Sequence, residues 1–459
     1  MTGPSQPHPR RWLILTAVLT GTLVGTFGTS QVNVALPTIM DSFGVMVSNG
    51  AWLLSIYILM VAVLMPLFGR LGDMYGYKRI YLSGLGLLVV GLLLAASARW
   101  FPLLVFARTL QGIGNATTLP SVMAIITHVF PDRERGRAMG FWATINGVGH
   151  GLGPMIGGYL VQNFGWPSVF AFNAALSILG MAAIWRLVPD DARRVPHRFD
   201  PIGAGTMTLA SIILMLNLTQ GAQSGWNTPL SLGLWAAFFA LVAAFLMAES
   251  RIKPPFVELS LFANKRYASA VGVISAQFFC LFGMQLLLPL FLVRVQGRAS
   301  GEAGALIGSL AITAAVIAPL AGRLADSLGS KGLCAAGMGL VAGAGGLLML
   351  WQLDTPAWQV MGTLAVLGLG MGFTQSPVAV AVTLSVDRER LGVALGIFNM
   401  FRFVSASLGS TIFGVILEGA GAENALAAYR LAFGLLIGVA LTAAVLALNL
   451  PAARSPSEA

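Results

Sequence analysis

Apolar stretches of about the 20 residues a helix needs to cross a bilayer recur along the whole chain, joined by short polar connections. The pattern predicts fourteen spans, at 12–36, 50–69, 80–98, 103–126, 138–161, 168–188, 201–220, 229–248, 267–293, 303–321, 333–351, 358–383, 392–417 and 428–449. The fold class expected is therefore an all-α, multi-pass membrane protein with the lipid bilayer as its surroundings, and the connections leave no room for a soluble domain. The first stretch follows Arg10 and Arg11. It is too long for a signal peptide and lacks a small-residue cleavage site, so it reads as an anchored span.

Composition changes the picture only in one respect. Of 459 residues 10% are charged, against about 25% in an ordinary soluble domain. The net charge of +10 would suggest nucleic acid in a soluble protein, but here its distribution points to topology, and no nucleic-acid partner is expected. Of the 27 Lys and Arg, 21 fall in the two tails, the even-numbered connections and the adjoining helix ends. Four fall on the other side, Arg99, Arg294, Arg298 and Arg430, and two lie within spans, Arg108 and Arg402. Basic residues concentrate on the cytoplasmic side, so both termini are expected there, in the cytoplasmic (inner) membrane. Cys280 and Cys334 fall inside spans and read as small apolar packers, with no metal spacing.

A repeat organises the chain. The segment from Pro66 to Lys78 reappears from Pro319 to Lys331, with eight of 13 positions identical at an offset of 253. Asp132-Arg-Glu-Arg135 reappears as Asp387-Arg-Glu-Arg390, at an offset of 255. Both pairs sit on the same side of the membrane, which implies two parallel six-helix repeats about an axis along the membrane normal. The expected division is 1–188 for the first half, 189–266 for an inserted pair, spans 7 and 8, and 267–459 for the second half.

These residues carry a family resemblance. Gly69-Arg-Leu-Gly-Asp-Met-Tyr-Gly-Tyr-Lys-Arg79 resembles motif A of the major facilitator superfamily, Arg108-Thr-Leu-Gln-Gly-Ile-Gly114 its motif B, and Gly149-His-Gly-Leu-Gly-Pro-Met-Ile-Gly-Gly158 its motif C, that of antiporters. Val32-Asn-Val-Ala-Leu-Pro37 and Asn399-Met-Phe-Arg402 resemble the fourteen-helix drug:proton antiporters.

The resemblance implies that Asp73, expected in the loop after span 2, docks on the start of span 13 and locks a cytoplasmic gate. Asp326 would do the same for span 5. Gly69, Arg70, Gly76, Lys78, Arg79, Arg133 and Arg135 would complete that gate. In motif C, Gly149, Gly153, Gly157 and Gly158 form a small-residue stripe and Pro154 a kink. Small faces let helices pack backbone to backbone; the resemblance adds a conformational role in antiport.

A charge in hydrocarbon is costly and normally marks function. All 17 acidic residues fall in loops, tails or span ends. The family pattern places an Asp where Gly28 stands, so carboxylate-based coupling and binding of cationic drugs are in doubt. What remains for a coupling site or substrate cavity is Arg108, His150 and Arg402, with Asn33, Tyr57, Gln111, Gln285 and Gln375. His150 is the one mid-span side chain whose ordinary pKa lies near neutrality.

The reading is a secondary transporter, not an enzyme, that exports hydrophobic small molecules by alternating access in exchange for protons. It would act as a monomer and without a cofactor. An exporter of lipids or anionic amphiphiles is the alternative, and a membrane scaffold or receptor a remote one.

Overall fold

The computed structural model describes residues 9–189, 201–251, 259–386, 391–419 and 425–452. With no water in a bilayer core, a lipid-facing backbone must satisfy its own hydrogen bonds, and the described residues are accordingly almost all helical. The helices are α1 (Arg11–Phe43), α2 (Val47–Tyr75), α3 (Tyr77–Ala96), α4 (Phe101–Asn115), α5 (Thr118–Val129), α6 (Asp132–Phe164), α7 (Pro167–Leu187), α8 (Pro201–Ser224), α9 (Pro229–Arg251), α10 (Lys265–Leu290), α11 (Ser300–Leu328), α12 (Ser330–Met349), α13 (Ala357–Ser385), α14 (Leu391–Gly419) and α15 (Ala425–Ala447). Eleven described helices are long and apolar enough to cross a membrane. That falls short of the fourteen spans expected: α6, α8 and the α4–α5 pair are not among the eleven.

The fourth expected span is broken. Its two pieces meet at Ala116–Thr117, just after Gly112 and Gly114. A Cβ at Gly112 would stand 2.5 Å from the Tyr57 carbonyl oxygen, and one at Gly114 2.5 Å from that of Gly84. Glycine is the only residue that lets α4 sit this close to α2 and α3, and it is a poor helix former. The Thr117 hydroxyl donates to the Gly114 carbonyl at 2.8 Å, satisfying one acceptor at the break.

The helical turns repeat with the sequence. α2 and α11 both span 29 residues, and α3 and α12 both span 20. A single glycine at positive φ joins α2 to α3, Gly76 at 97°, and α11 to α12, Gly329 at 78°. Such a backbone conformation strongly favours glycine, so the turn chemistry is the same in both copies.

Alternating helix directions define two faces, here called near (where α1 starts) and far. The two sets α1–α7 and α10–α15 meet chiefly along two crossings, α2 with α14 and α6 with α11. In its most apolar stretch α1 is 72% buried and α10 67%, whereas α9 is only 6% buried. α8 packs on α2 and α14 and carries α9 on its back. Met215 of α8 fills a cluster with Ile56, Leu59 and Val63 of α2, and its sulfur accepts from the Ser407 hydroxyl at 3.4 Å. The inserted pair thus covers the α2–α14 seam from outside.

Candidate functional site

Motif A begins inside a helix. α2 runs to Tyr75, so Asp73 lies in its last turn and not in a loop as expected. The charged end of α2 emerges from the apolar zone without losing its hydrogen-bond ladder. The Tyr77 hydroxyl donates to Asp73 Oδ1 at 2.6 Å across the Gly76 turn. Gly69 faces Pro120 of α5, and Arg70, Lys78 and Arg79 stand on the same near-face corner. The side chains of Arg133, Arg135, Asp326 and residues 391–393 at the start of α14, and the whole repeat at 387–390, lie outside the described residues.

One near-face pair escaped the sequence reading. Arg11 binds Glu134 through two parallel bonds, Nε to Oε2 at 2.7 Å and Nη2 to Oε1 at 3.0 Å. The hydrogen bonds from Arg11 hold the Glu134 carboxyl below the ordinary carboxylate range. Arg11 therefore ties α1 to the start of α6, whereas its position before an apolar run had suggested an anchor alone.

Motif C is a contact strip with two edges. A Cβ at Gly149 or Gly153 would collide with the hydroxyl of Thr26 or Ser30 on α1, and one at Gly157 would lie 2.8 Å from Gln31 Cα. Ser30 Oγ donates to the Gly149 carbonyl at 3.3 Å. The other edge meets α11: Gly147 faces Ala315, Gly151 faces Ile312, and Gly158 faces the Ser300 carbonyl. The Pro154 carbonyl packs against Gly304. Val148, Leu152, Met155 and Tyr159 are exposed on the opposite side of α6. At about 100° per residue, His150 falls between the α1 edge and the α11 edge, facing inward where the two helix sets meet.

Arg402 of α14 shares that space, and its charge acts on His150. Its guanidinium carbon sits 4.2 Å from the ring centroid of Phe278 on α10 and 4.9 Å from that of Phe403. Nη1 donates to Asn399 Oδ1 at 3.3 Å. Nε is buried and has no hydrogen-bond partner among the described residues. Phe278 and Phe403 were not singled out from sequence; a lone phenylalanine in an apolar span carries no signal until an arginine is found beside it.

Arg108, Gln111 and Tyr57 form a separate, buried network among α1, α2 and α4. Arg108 Nε donates to the Leu53 carbonyl at 2.8 Å, and Nη1 to the Gly28 carbonyl at 3.1 Å and Gln111 Oε1 at 2.8 Å. Gln111 Nε2 continues to the Gly91 carbonyl at 3.0 Å. The Tyr57 ring lies 4.2 Å from the guanidinium carbon, and its hydroxyl donates to the Gly25 carbonyl at 3.2 Å.

Asn33 and Gln285 do come together: Asn33 Nδ2 donates to Gln285 Oε1 at 2.8 Å, joining α1 to α10. Toward the far face the same two sets are also joined by Arg294 to Asp41, by Ser48 N to Glu418 Oε2 at 2.9 Å, and by Gly301 N to Gln162 Oε1 at 3.2 Å. Deeper, Ser55 Oγ lies 2.7 Å from Ser410 Oγ and 2.9 Å from Thr411 Oγ1. Gln375 stands apart from these groups and is exposed on α13.

Comparison with known proteins agrees with this architecture. The model of the Major Facilitator Superfamily matches residues 18–410 and 275–459. Multidrug resistance protein Stp of Mycobacterium tuberculosis (strain CDC 1551 / Oshkosh) is 31% identical over 84% of this chain and 72% of its own. Multidrug transporter protein MdtP of Bacillus subtilis (strain 168) is 28% identical, over 89% and 76%. The methylenomycin A resistance protein of Streptomyces coelicolor is 29% identical, over 88% and 85%. Among solved structures, a bacterial homologue of the human lysosomal transporter Spinster superposes with a TM-score of 0.70 at 16% identity, covering 96% of this chain and 97% of that one.

Proposed function

The chain belongs to the major facilitator superfamily, and from that premise we propose that it exports hydrophobic small molecules, drugs and dyes among them, across the cytoplasmic membrane in exchange for protons. Its relatives with multidrug and antibiotic-resistance names supply the substrate class. In this reading the chain spans the membrane fourteen times, with α4 and α5 forming one span and α6 and α8 two more. Residues 1–188 and 267–459 are the moving halves, and 189–266 is the inserted pair. The near face, where most Lys and Arg lie, is cytoplasmic and holds both termini.

The observation that supports alternating access best is the set of bonds joining α1, α2 and α6 to α10, α14 and α11 toward the far face. They act as a closed outer gate over the inward-facing His150 and Arg402, leaving those residues to be reached from the cytoplasm. Rocking at the α2–α14 and α6–α11 crossings would open that gate. Motif A would then hold the cytoplasmic side shut by docking Asp73 on the start of α14, because a helix N-terminus attracts an anion. We read the protein as a transporter and not as an enzyme, acting as a monomer.

Proton exchange is assigned to His150, which lies mid-helix between the two halves and ordinarily titrates near neutrality. The test is efflux from cells for a panel of cationic, neutral and anionic compounds, with and without a proton uncoupler. Uphill efflux that the uncoupler abolishes is expected, and His150→Ala is expected to retain substrate binding while losing it. Uphill efflux unchanged by the uncoupler would refute proton exchange, and unchanged efflux in the variant would remove His150 from the coupling step.

A further inference from the structure

Eight acidic residues lie in helices, and each is within two residues of a helix end: Asp41, Asp73, Asp132, Glu134, Glu249, Glu302, Asp326 and Glu418. Asp354 is the one other acidic residue among the described residues, and it lies outside the helices. Among the described residues the middle of the helices therefore carries cationic side chains and no carboxylate. Arg402 is the eleventh residue after the start of α14, about 16 Å along it, and no acidic side chain among the described residues shares that depth.

Its surroundings fix the guanidinium without neutralising it. Phe278 and Phe403 stack on the cation, and Phe278 itself stacks on Phe282 with ring centroids 6.0 Å apart. Rings attract a cation but offer no acceptor to its N–H donors. Asn399 takes one of the five donors, and the buried Nε hydrogen has no partner among the described residues. What is left is a planar fork held against an aromatic wall, with its N–H edge uncommitted. That is the geometry that accepts a carboxylate. A quaternary ammonium compound brought here would meet the Arg402 charge, with the faces of Phe278 and Phe403 already taken by the guanidinium and no carboxylate among the described residues to offset the repulsion.

Resting on the exporter reading, we propose that Arg402 and the Phe278–Phe403 wall form the substrate site and that its preferred ligand class is the aromatic organic monoanion. The carboxylate engages the Arg402 edge while the ring of the ligand packs on Phe278. This reverses the charge preference that a carboxylate in the cavity would impose, and it gives a reason for an arginine where lipid-solvated helices normally exclude one.

The experiment uses the purified full chain in proteoliposomes and three probes of one ring system: 1-naphthylacetate, its methyl ester, and 1-naphthylmethyl-trimethylammonium. Binding to the wild-type protein is expected to favour the acid over the ester by about tenfold, the scale of one charge-assisted hydrogen bond, and to be weakest for the ammonium. Arg402→Gln is expected to bind acid and ester equally, with ester affinity unchanged, and Arg402→Lys to keep part of the preference. Equal or better binding of the ammonium probe by the wild type overturns the anion site while leaving the exporter reading intact. Acid preference persisting in Arg402→Gln places the anion elsewhere and also overturns it. Should the variants fail to fold, the wild-type competition alone decides. Failure of the wild type to bind or move any of the three probes counts against the exporter reading itself.

Discussion

Arg108 on α4 and Arg402 on α14 both place a guanidinium inside the bundle, and they are held in different ways. Arg108 is 1% exposed and spends its Nε and Nη1 donors on the Leu53 and Gly28 carbonyls and on Gln111. It ties together three helices of one set. Arg402 is half-buried where the two sets meet, stacked on Phe278 and Phe403, with one hydrogen bond to Asn399. One guanidinium makes three hydrogen bonds inside a single helix set and leaves only its Nη2 without a partner among the described residues; the other makes one and leaves its Nε without a partner among them. The same residue type at the same kind of position can thus be a fastener or a reader, and only the partners of its N–H groups distinguish them.

The sharpest way to break this comparison is to remove each arginine. Arg108→Leu leaves three acceptors without their donor, and each bond from a charged group contributes about 1.5–3 kcal/mol. It is expected to lower folded yield and thermal stability strongly, whereas Arg402→Gln keeps both. Wild-type stability in Arg108→Leu, measured by thermal unfolding in detergent, would contradict the division of labour. Asp73→Asn should have the next largest effect, this time on transport. In the proposed gate Asp73 docks on the start of α14, and a charge at a helix N-terminus is worth about 0.3–2 kcal/mol, so efflux should fall several-fold at undiminished expression. Near-normal efflux would remove Asp73 from the gate.

Ser55→Ala probes the gate on the other side and should have the smallest effect. Ser55 Oγ contacts Ser410 Oγ and Thr411 Oγ1 across the α2–α14 crossing, and such a bond contributes about 1 kcal/mol net. The population open at the far face should rise about fivefold, read by labelling of a cysteine introduced at Gln285. Unchanged labelling would mean that the hydroxyl cluster does not hold the crossing shut.

Much of this was legible in the chain. The 253-residue offset between Pro66 and Pro319 reappears as helices of equal length around Gly76 and Gly329, because the turn glycines and helix boundaries are local properties. Apolar length placed the helices but not all of their ends. α2 continues past its apolar part through Arg70 and Asp73, since its backbone ladder is indifferent to where the hydrocarbon stops. The break at Ala116–Thr117 follows from close packing on Tyr57 and Gly84, which no single-chain pattern encodes. α6 is less apolar than a spanning helix is expected to be, because its glycines and His150 face α1, α11 and the interior and not lipid.

The site was legible as a set of residue types and illegible as an arrangement. Asn33 and Gln285 were both marked as polar groups in apolar runs, but their bond joins residues 252 positions apart. Arg294 and Asp41 are separated by 253. His150 and Arg402 stood out because polar groups are rare in such helices. Phe278 and Phe403 did not, since phenylalanine is ordinary there. That the acceptors of Arg108 would be backbone carbonyls was an open alternative until α1, α2 and α4 were seen together.

The central claim is coupled export, and purified protein in proteoliposomes tests it without other pumps. With a neutral naphthyl ester on both sides of the membrane and an imposed pH gradient as the only driving force, the account predicts that the ester moves uphill, against the direction of proton flow. Collapse of the pH gradient should stop it, and His150→Ala should equilibrate the ester without accumulating it. Equilibration alone by the wild-type protein, with the pH gradient intact, would contradict the account.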